Sequence, residues 1–297
     1  MRGVLIQMNN TVQRKIKITA DSTCDMSPEI CEKYGIEIIP LHVVYDSESY
    51  DDGVNIFPHD ILERYKTKKQ LPKTSAVSLG EYLKVFGKYT KEGFSVIHIS
   101  LGSSISSSHQ NSVTAASEFD NVYAVDSQNL SCGQGLVVLK ACDLISTTEL
   151  SAAEIAEELK GYALSVCASF VLDSLEFLRA GGRCSTLAML GANLLNIKPC
   201  IEVNTSDGAS MTLGRKYRGK YDKVVYEYIR EKLSQYSEFD VSRLIIVSSD
   251  IPQEIVDEAY RIVSDLCVFK DIMICNAGCT ITSHCGSGAF GIFFASM

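Results

Sequence analysis

At 297 residues, with 46% hydrophobic and 22% charged side chains, the chain is long enough for two globular domains built around sizeable cores. Its 28 lysines and arginines against 36 aspartates and glutamates leave a net charge of −8, which argues against a general role on nucleic acid or on an anionic membrane surface. No stretch approaches the ~20 apolar residues of a membrane-spanning helix, and the opening "MRGVLIQMNNTVQR" lacks the apolar run of a secretory signal.

Residues 1–14 are therefore expected to form a flexible extension, and the protein is expected to be cytoplasmic. The 11 cysteines fit that compartment, because they sit in apolar stretches such as "SVCASFV" and "IMICNAG", where a free thiol packs as a small hydrophobe. Cys275, Cys279 and Cys285 beside His284 lack the C-x-x-C pairing of structural zinc sites, so no metal site is expected.

In chain order, "KIKITAD" (15–21) reads as a strand and "SPEICEKYG" (27–35) as a helix, with Ser27 as N-cap, Pro28 at its first position and Gly35 past its end. "IEIIPLHVVY" (36–45) follows as a strand. "SLGEYLKVFGKYT" (78–90) opens on the capping box Ser78 and Glu81, and is followed by the strand "SVIHIS" (95–100), a serine-rich turn, the strand "NVYAVDS" (121–127) and the helical "GQGLVVLKACDLIS" (133–146). Apolar strands separated by helices predict a first α/β domain, residues 15–165, with a mostly parallel sheet covered on both faces.

A second capping box, Ser151 and Glu154, starts "SAAEIAEELKGYALSV" and leads into the second domain, residues 166–297. There "SFVLDS" is followed by the helical "LEFLRA", closed by Gly181 and Gly182, and by "LAMLGANLL" (187–195). The strands "CIEVN" and "MTLGRKYRG" are joined in hairpin fashion by "SDGA". Then come an amphipathic helix over 221–236, the strand "RLIIVSSD", a helix over 252–266, "DIMICNA" and "GIFFAS", a second α/β domain.

"SHCGSGAFG" (283–291) carries a G-x-G-x-x-G spacing at Gly286, Gly288 and Gly291. A dinucleotide loop must open a helix whose amides hold the pyrophosphate, and "GIFFASM" after Gly291 is too short and too β-prone to be one. The chain also lacks G-x-x-x-x-G-K-[ST], G-x-S-x-G and H-E-x-x-H. It is instead dense in hydroxyls after strands: "DSTCD" (21–25), "KTSAVS" (73–78) and "SLGSSISSSHQNS" (100–112).

Loops beyond the carboxyl ends of parallel strands are where ligands sit, and the strand 95–100 delivers Ser103, Ser104 and Ser106 to such a place. Neutral hydroxyls and helix-terminal amides suit a carboxylate, while the same serines could simply cap a turn and a helix. His42 and His98 lie within apolar strands, His59 at a helix start and His109 just beyond the serine turn. His284 differs, standing among Thr282, Ser283 and three glycines that let backbone approach closely.

These stretches resemble the DegV family of bacterial fatty-acid-binding proteins, which includes the acyl-binding subunits of fatty acid kinases. The landmarks are "ITADSTCD", "YDDGVNI" (50–56), "LPKTS" (71–75), the serine turn (100–108), "LEFLRAGGR" (175–183) and "HCGSGA" (284–289), together spanning nearly everything after residue 15. The resemblance implies a two-domain α/β fold that holds one long-chain fatty acid, with its tail in an apolar tunnel of the second domain and its carboxylate near the domain interface.

It also implies a monomer without cofactor or catalysis of its own; a partner kinase uses ATP to phosphorylate the bound carboxylate, yielding an acyl phosphate for phospholipid synthesis. By motif, the carboxylate meets Thr74 or Ser75, a turn serine and His284, with Arg183 and Gly286 in the same cleft. Arg218 matches a kinase-docking position, and Lys216 and Lys220 alternate with it along one strand face.

The chain departs from the family pattern where "LSGT" appears as "ISSS" (105–108), a double serine as Gly102 and Ser103, and the proline of "HxGPGA" as Ser287; Ser103 is the first choice for the head-group serine and Ser106 the second. Burying about 15 methylenes at ~0.8 kcal/mol each gives on the order of 12 kcal/mol, against ~1.5–3 kcal/mol for a charge-assisted hydrogen bond. The tunnel, lined by 187–195, 169–178 and "GIFFASM", should thus supply affinity, and the polar residues should set where the carboxylate points. The alternative reading is an acyl hydrolase with a turn serine as nucleophile and His284 as base, its orienting carboxylate drawn from Asp21 or Asp126.

Overall fold

The computed structural model describes residues 14–184, 197–266 and 269–297. The expected tunnel stretch 187–195 lies outside these, as does the expected extension up to residue 13. Arg14 itself is engaged: its guanidinium donates to the carbonyls of Thr148 at 2.8 Å, Ile145 and Leu150.

The first half of the chain runs β1 (Ile16–Asp21), α1 (Pro28–Tyr34), β2 (Glu37–Ile39), β3 (His42–Tyr45), β4 (Glu48–Asp51), α2 (Pro58–Lys68), β5 (Lys73–Ser75), α3 (Leu79–Lys91), β6 (Ser95–Ser100), α4 (Ser108–Ala116), β7 (Val122–Asp126), α5 (Ser131–Thr147) and α6 (Ala152–Ser165). The second runs β8 (Val166–Leu172), α7 (Glu176–Gly181), β9 (Ile197–Asn204), β10 (Ser210–Arg218), α8 (Tyr221–Ser234), β11 (Phe239–Ser249), α9 (Gln253–Leu266), β12 (Asp271–Asn276), α10 (Cys279–Cys285) and β13 (Ala289–Ser296).

Strands β2-β1-β6-β7 form the parallel sheet that the alternation predicts. Both capping boxes form as read: the backbone N–H groups of Ser78 and Ser151 donate to Glu81 and Glu154 at 2.8 and 2.7 Å. The stretch 36–45 is two strands rather than one, because Pro40 has no N–H for the ladder; β2 stays in the parallel sheet and β3 opens a separate antiparallel sheet of order β4-β3-β5.

The second sheet has the order β10-β9-β8-β13-β11-β12, antiparallel at every pair except β11 with β12. Helix α5 is buried along most of its length because α5 and α6 lie between the two sheets, and one apolar core joins Ile18 and Ile99 to Leu136, Leu159, Val247 and Phe293. Helices α8 and α9 cover the other face of the second sheet, and α3 and α4 that of the first.

Helix α10 is not legible in its own residues, since Thr280, Ile281 and Thr282 are β-branched and disfavour a helix. Partners remote in the chain hold it instead. Among the described residues, no helix is long and apolar enough to cross a membrane.

Candidate functional site

The first turn of α10 is fixed by two aspartate side chains from the first half of the chain. Gly278 N donates to Asp25 Oδ1 at 2.9 Å, Cys279 N to Asp52 Oδ1 at 2.8 Å and Thr280 N to Asp52 Oδ2 at 3.0 Å. The helix ends where Gly286 adopts φ 71°, and a Cβ there would fall 2.5 Å from the Phe177 ring, so only glycine fits. The glycines of "SHCGSGAFG" thus close a helix and enter β13, the reverse of a dinucleotide loop, which opens one.

His284 stands in the last turn of α10, and its Nε2 shares a 2.8 Å hydrogen bond with Thr74 Oγ1 on β5. Its Nδ1 is buried without a hydrogen-bond partner among the described residues and faces Gly181, where a Cβ would come within 2.1 Å. Burial, aided by the positive charge of Arg183, lowers the His284 pKa to about 4. The imidazole is therefore neutral at pH 7.

Around this pair lies a cavity with about 680 Å³ of unfilled space, its open mouth included. Thr74, Ser75, Ser106, Ser107, Arg183 and His284 make its polar wall, while Leu41, Ile105, Phe170, Leu178 and Met211 contribute apolar surface. A second space of about 300 Å³ shares Leu130, Phe170, Ile281 and Cys285 with it and continues between the start of α5 and the second sheet, past Val247, Phe290 and Phe293. Polar groups at one end and hydrocarbon along the rest suit an amphiphile with a small head.

The DegV family model matches residues 15–297, all but the first 14 positions. The chain belongs to the DegV family. A DegV domain-containing protein of Clostridium acetobutylicum is 31% identical over 289 residues, covering 94% of this chain and 98% of its own. Among solved structures, a DegV family protein of Thermus thermophilus described as fatty-acid binding superposes with a TM-score of 0.86 at 26% identity, covering 95% of this chain and 100% of that one. A stearic-acid-binding protein of Eubacterium ventriosum gives a TM-score of 0.81 at 25% identity, with coverage of 95% and 98%.

Within this DegV fold the two candidate serines part company. Ser106 lines the cavity and its Oγ accepts from Ser108 N at 3.1 Å, at the entry to α4. Ser103 is exposed and outside the cavity wall, with its Oγ against Gly208 in the β9–β10 hairpin, whose carbonyl accepts from Ser104 N at 2.9 Å. Arg183 is exposed at the cavity and donates to Gly181 O at 2.7 Å, and Gly286 is outside the cavity wall, against the Phe177 ring.

For a hydrolase, His284 needs a serine on one nitrogen and an orienting carboxylate on the other. Its described partner is Thr74; Asp21 is instead bound to Tyr82 and Leu101 N, and Asp126 to Gln128. The other histidines are tied elsewhere: His98 to Thr19, His42 to Asp51 and Glu81, His59 to Asp60, and His109 to Ser100. No cluster of three His, Cys, Asp or Glu side chains with metal-ligand geometry occurs among the described residues.

Sequence reasoning passed over Ser107 and Thr280 in the cavity wall, and the roles of Asp25 and Asp52. Asp52 lies inside the landmark "YDDGVNI", yet its partner is 227 residues away, a separation no local pattern reveals. On β10, Lys216 and Arg218 are exposed on either side of buried Tyr217, and neither forms an ion pair among the described residues. Lys220 falls beyond the strand, at the N-cap of α8, so the expected run of three on one strand face is two.

Proposed function

We propose that this protein holds one long-chain fatty acid, its carboxylate at Thr74, Ser75, Ser106 and His284 and its tail along Phe170 and Ile281 toward Phe293. The observation that carries this reading is the bonded Thr74–His284 pair at the polar end of a space whose walls continue as hydrocarbon between α5 and the second sheet. The fatty-acid-binding descriptions of the structural relatives support the same ligand class. With His284 neutral, the carboxylate is held by hydroxyl and imidazole hydrogen bonds rather than by an ion pair, while Arg183 supplies positive charge at the rim.

The test is organic extraction and mass spectrometry of protein purified from a bacterial host, followed by titration with oleate and palmitate. An acyl species at about one per chain is the expected result; none, together with no binding of either acid, would sink the reading.

The finer reading is that the protein presents this carboxylate to an ATP-dependent kinase. A carboxylate oxygen then bonds to the γ-phosphorus, the bond to the leaving ADP oxygen breaks, and an acyl phosphate remains. Supporting it are the missing nucleotide-loop signatures, the lack of a carboxylate on His284 among the described residues, and the exposed Lys216 and Arg218 as a docking patch for an acidic partner face. Trapping acyl phosphate with hydroxylamine in the presence of a fatty acid kinase and ATP checks it, with no trapped product from either component alone.

A further inference from the structure

The segment 41–75 touches α10 at both ends. At the back, Thr74 on β5 bonds His284; at the front, Asp52 receives two successive amides, those of Cys279 and Thr280, while Cys279 Sγ donates to Ile56 O at 3.1 Å. The two contact points are five residues apart on the helix, about 7–8 Å along its axis.

Asp52 can act as a fixed reference because it is itself immobilised. It is 4% exposed, its own N–H donates to Leu41 O at 2.9 Å, and its Oδ2 also accepts from Ser22 Oγ at 3.0 Å, a hydroxyl that in turn accepts from Leu41 N. Leu41 precedes β3, whose register pairs Val43 with Thr74 and His42 with Ser75, so the clamp and the head-group residues hang from one small sheet. Asp25 is the lesser holder, taking only Gly278 N and giving its second oxygen to Ser131.

We propose that Asp52 is a positioning residue for the head-group site, setting the axial position and rotation of α10 and so the place where His284 Nε2 meets Thr74 and the carboxylate. The assignment rests on the fatty-acid reading above, but part of its test does not. Asp52→Asn keeps the volume and replaces one acceptor oxygen with an NH₂ that faces an amide donor, so the two-amide clamp cannot be kept.

In the lipid-free full-length protein, the expected result is a shifted His284 Cε1–H NMR resonance. With [1-¹³C]oleate, the bound carboxyl resonance should move and affinity fall about tenfold, as for the loss of one to two buried hydrogen bonds, while affinity for oleyl alcohol falls less than twofold. Asp52→Glu, able to accept both amides, should restore part of the oleate preference.

A cooperatively folded Asp52→Asn protein with unchanged His284 and carboxyl resonances, or with equal losses for acid and alcohol, overturns the proposal. Should Asp52→Asn fail to fold, Ser22→Ala removes one of the bonds that orient Asp52 and should shift both resonances in the same direction; no shift there overturns it equally. A wild-type protein that binds neither lipid sinks the fatty-acid reading instead, while the lipid-free His284 resonance still decides whether Asp52 positions the helix.

Discussion

The two sides of the polar pocket are built in opposite ways. The α10 side is mostly buried, its leading amides each taken by an aspartate, and the Nδ1 edge of its terminal imidazole packs against Gly181, where there is no room for a side-chain carbon. The β5 side is a three-residue strand at the edge of a three-stranded sheet, with Lys73 and Ser75 exposed and Thr74 half-buried between them. A short edge strand has few contacts to lose on opening, whereas a helix tied by buried hydrogen bonds moves only as a unit. The difference assigns the fixed half of the site to α10 and the adjustable half to β5.

The strongest way to probe the fixed side is its pH dependence. Burial raises the Asp25 carboxyl to about 8, so the stability it contributes is complete below its unfolded value near 3.8 and is lost as pH rises through 8. His284, lowered to about 4 from 6.5, contributes in the opposite sense: its share is complete above 6.5 and is lost as pH falls toward 4. The two trends offset each other between about 4 and 6.5, leaving the Asp25 loss unopposed from 6.5 to 8, about 2 kcal/mol over that interval. Urea unfolding at pH 6.5 and 8 measures it, and Asp25→Asn should flatten that interval; an unchanged slope removes Asp25 from the account.

Next in size is Gly181→Ala. The residue closes α7, where alanine is the better helix former, so the added methyl should act only through its clash with His284 Nδ1, 2.1 Å away. Oleate affinity should drop about tenfold, the scale of one to two lost hydrogen bonds, read by displacement of a fluorescent fatty acid. Retained affinity would detach His284 from the head group.

On the adjustable side, Thr74→Val removes the bond to His284 while keeping the branched shape. A smaller loss is expected, about three- to fivefold, or ~1 kcal/mol, by the same displacement assay. A loss exceeding that of Gly181→Ala would reverse the assignment of fixed and adjustable halves. Arg218→Ala should leave lipid binding unchanged, since its side chain is exposed at the end of β10 and outside the cavity wall, and should lower acyl phosphate formation with a partner kinase, measured by hydroxylamine trapping.

Much of the fold was legible. Ser78, Glu81, Ser151 and Glu154 cap the helices they were read to cap, and the parallel sheet follows from the strand–helix alternation. Motif resemblance also pointed to Thr74 and His284, which the structure joins across 210 residues. The choice between Ser103 and Ser106 was not legible, because both occupy one hydroxyl-rich turn and only the approach of the β9–β10 hairpin separates them. Nor was the antiparallel character of the second sheet, where β13 lies between β8 and β11, a pairing set by contacts far apart in the chain.

Sequence by itself determined what short-range chemistry can encode: caps three residues apart, the apolar period of strands and helices, and glycines where backbone must turn or crowd. The tertiary structure alone decided that the β-branched "CTITSHC" becomes a helix, because its orphan amides find Asp25 and Asp52 only after the two halves of the chain have packed together. The position of His284 follows from that packing, and so does the place where a carboxylate would be held.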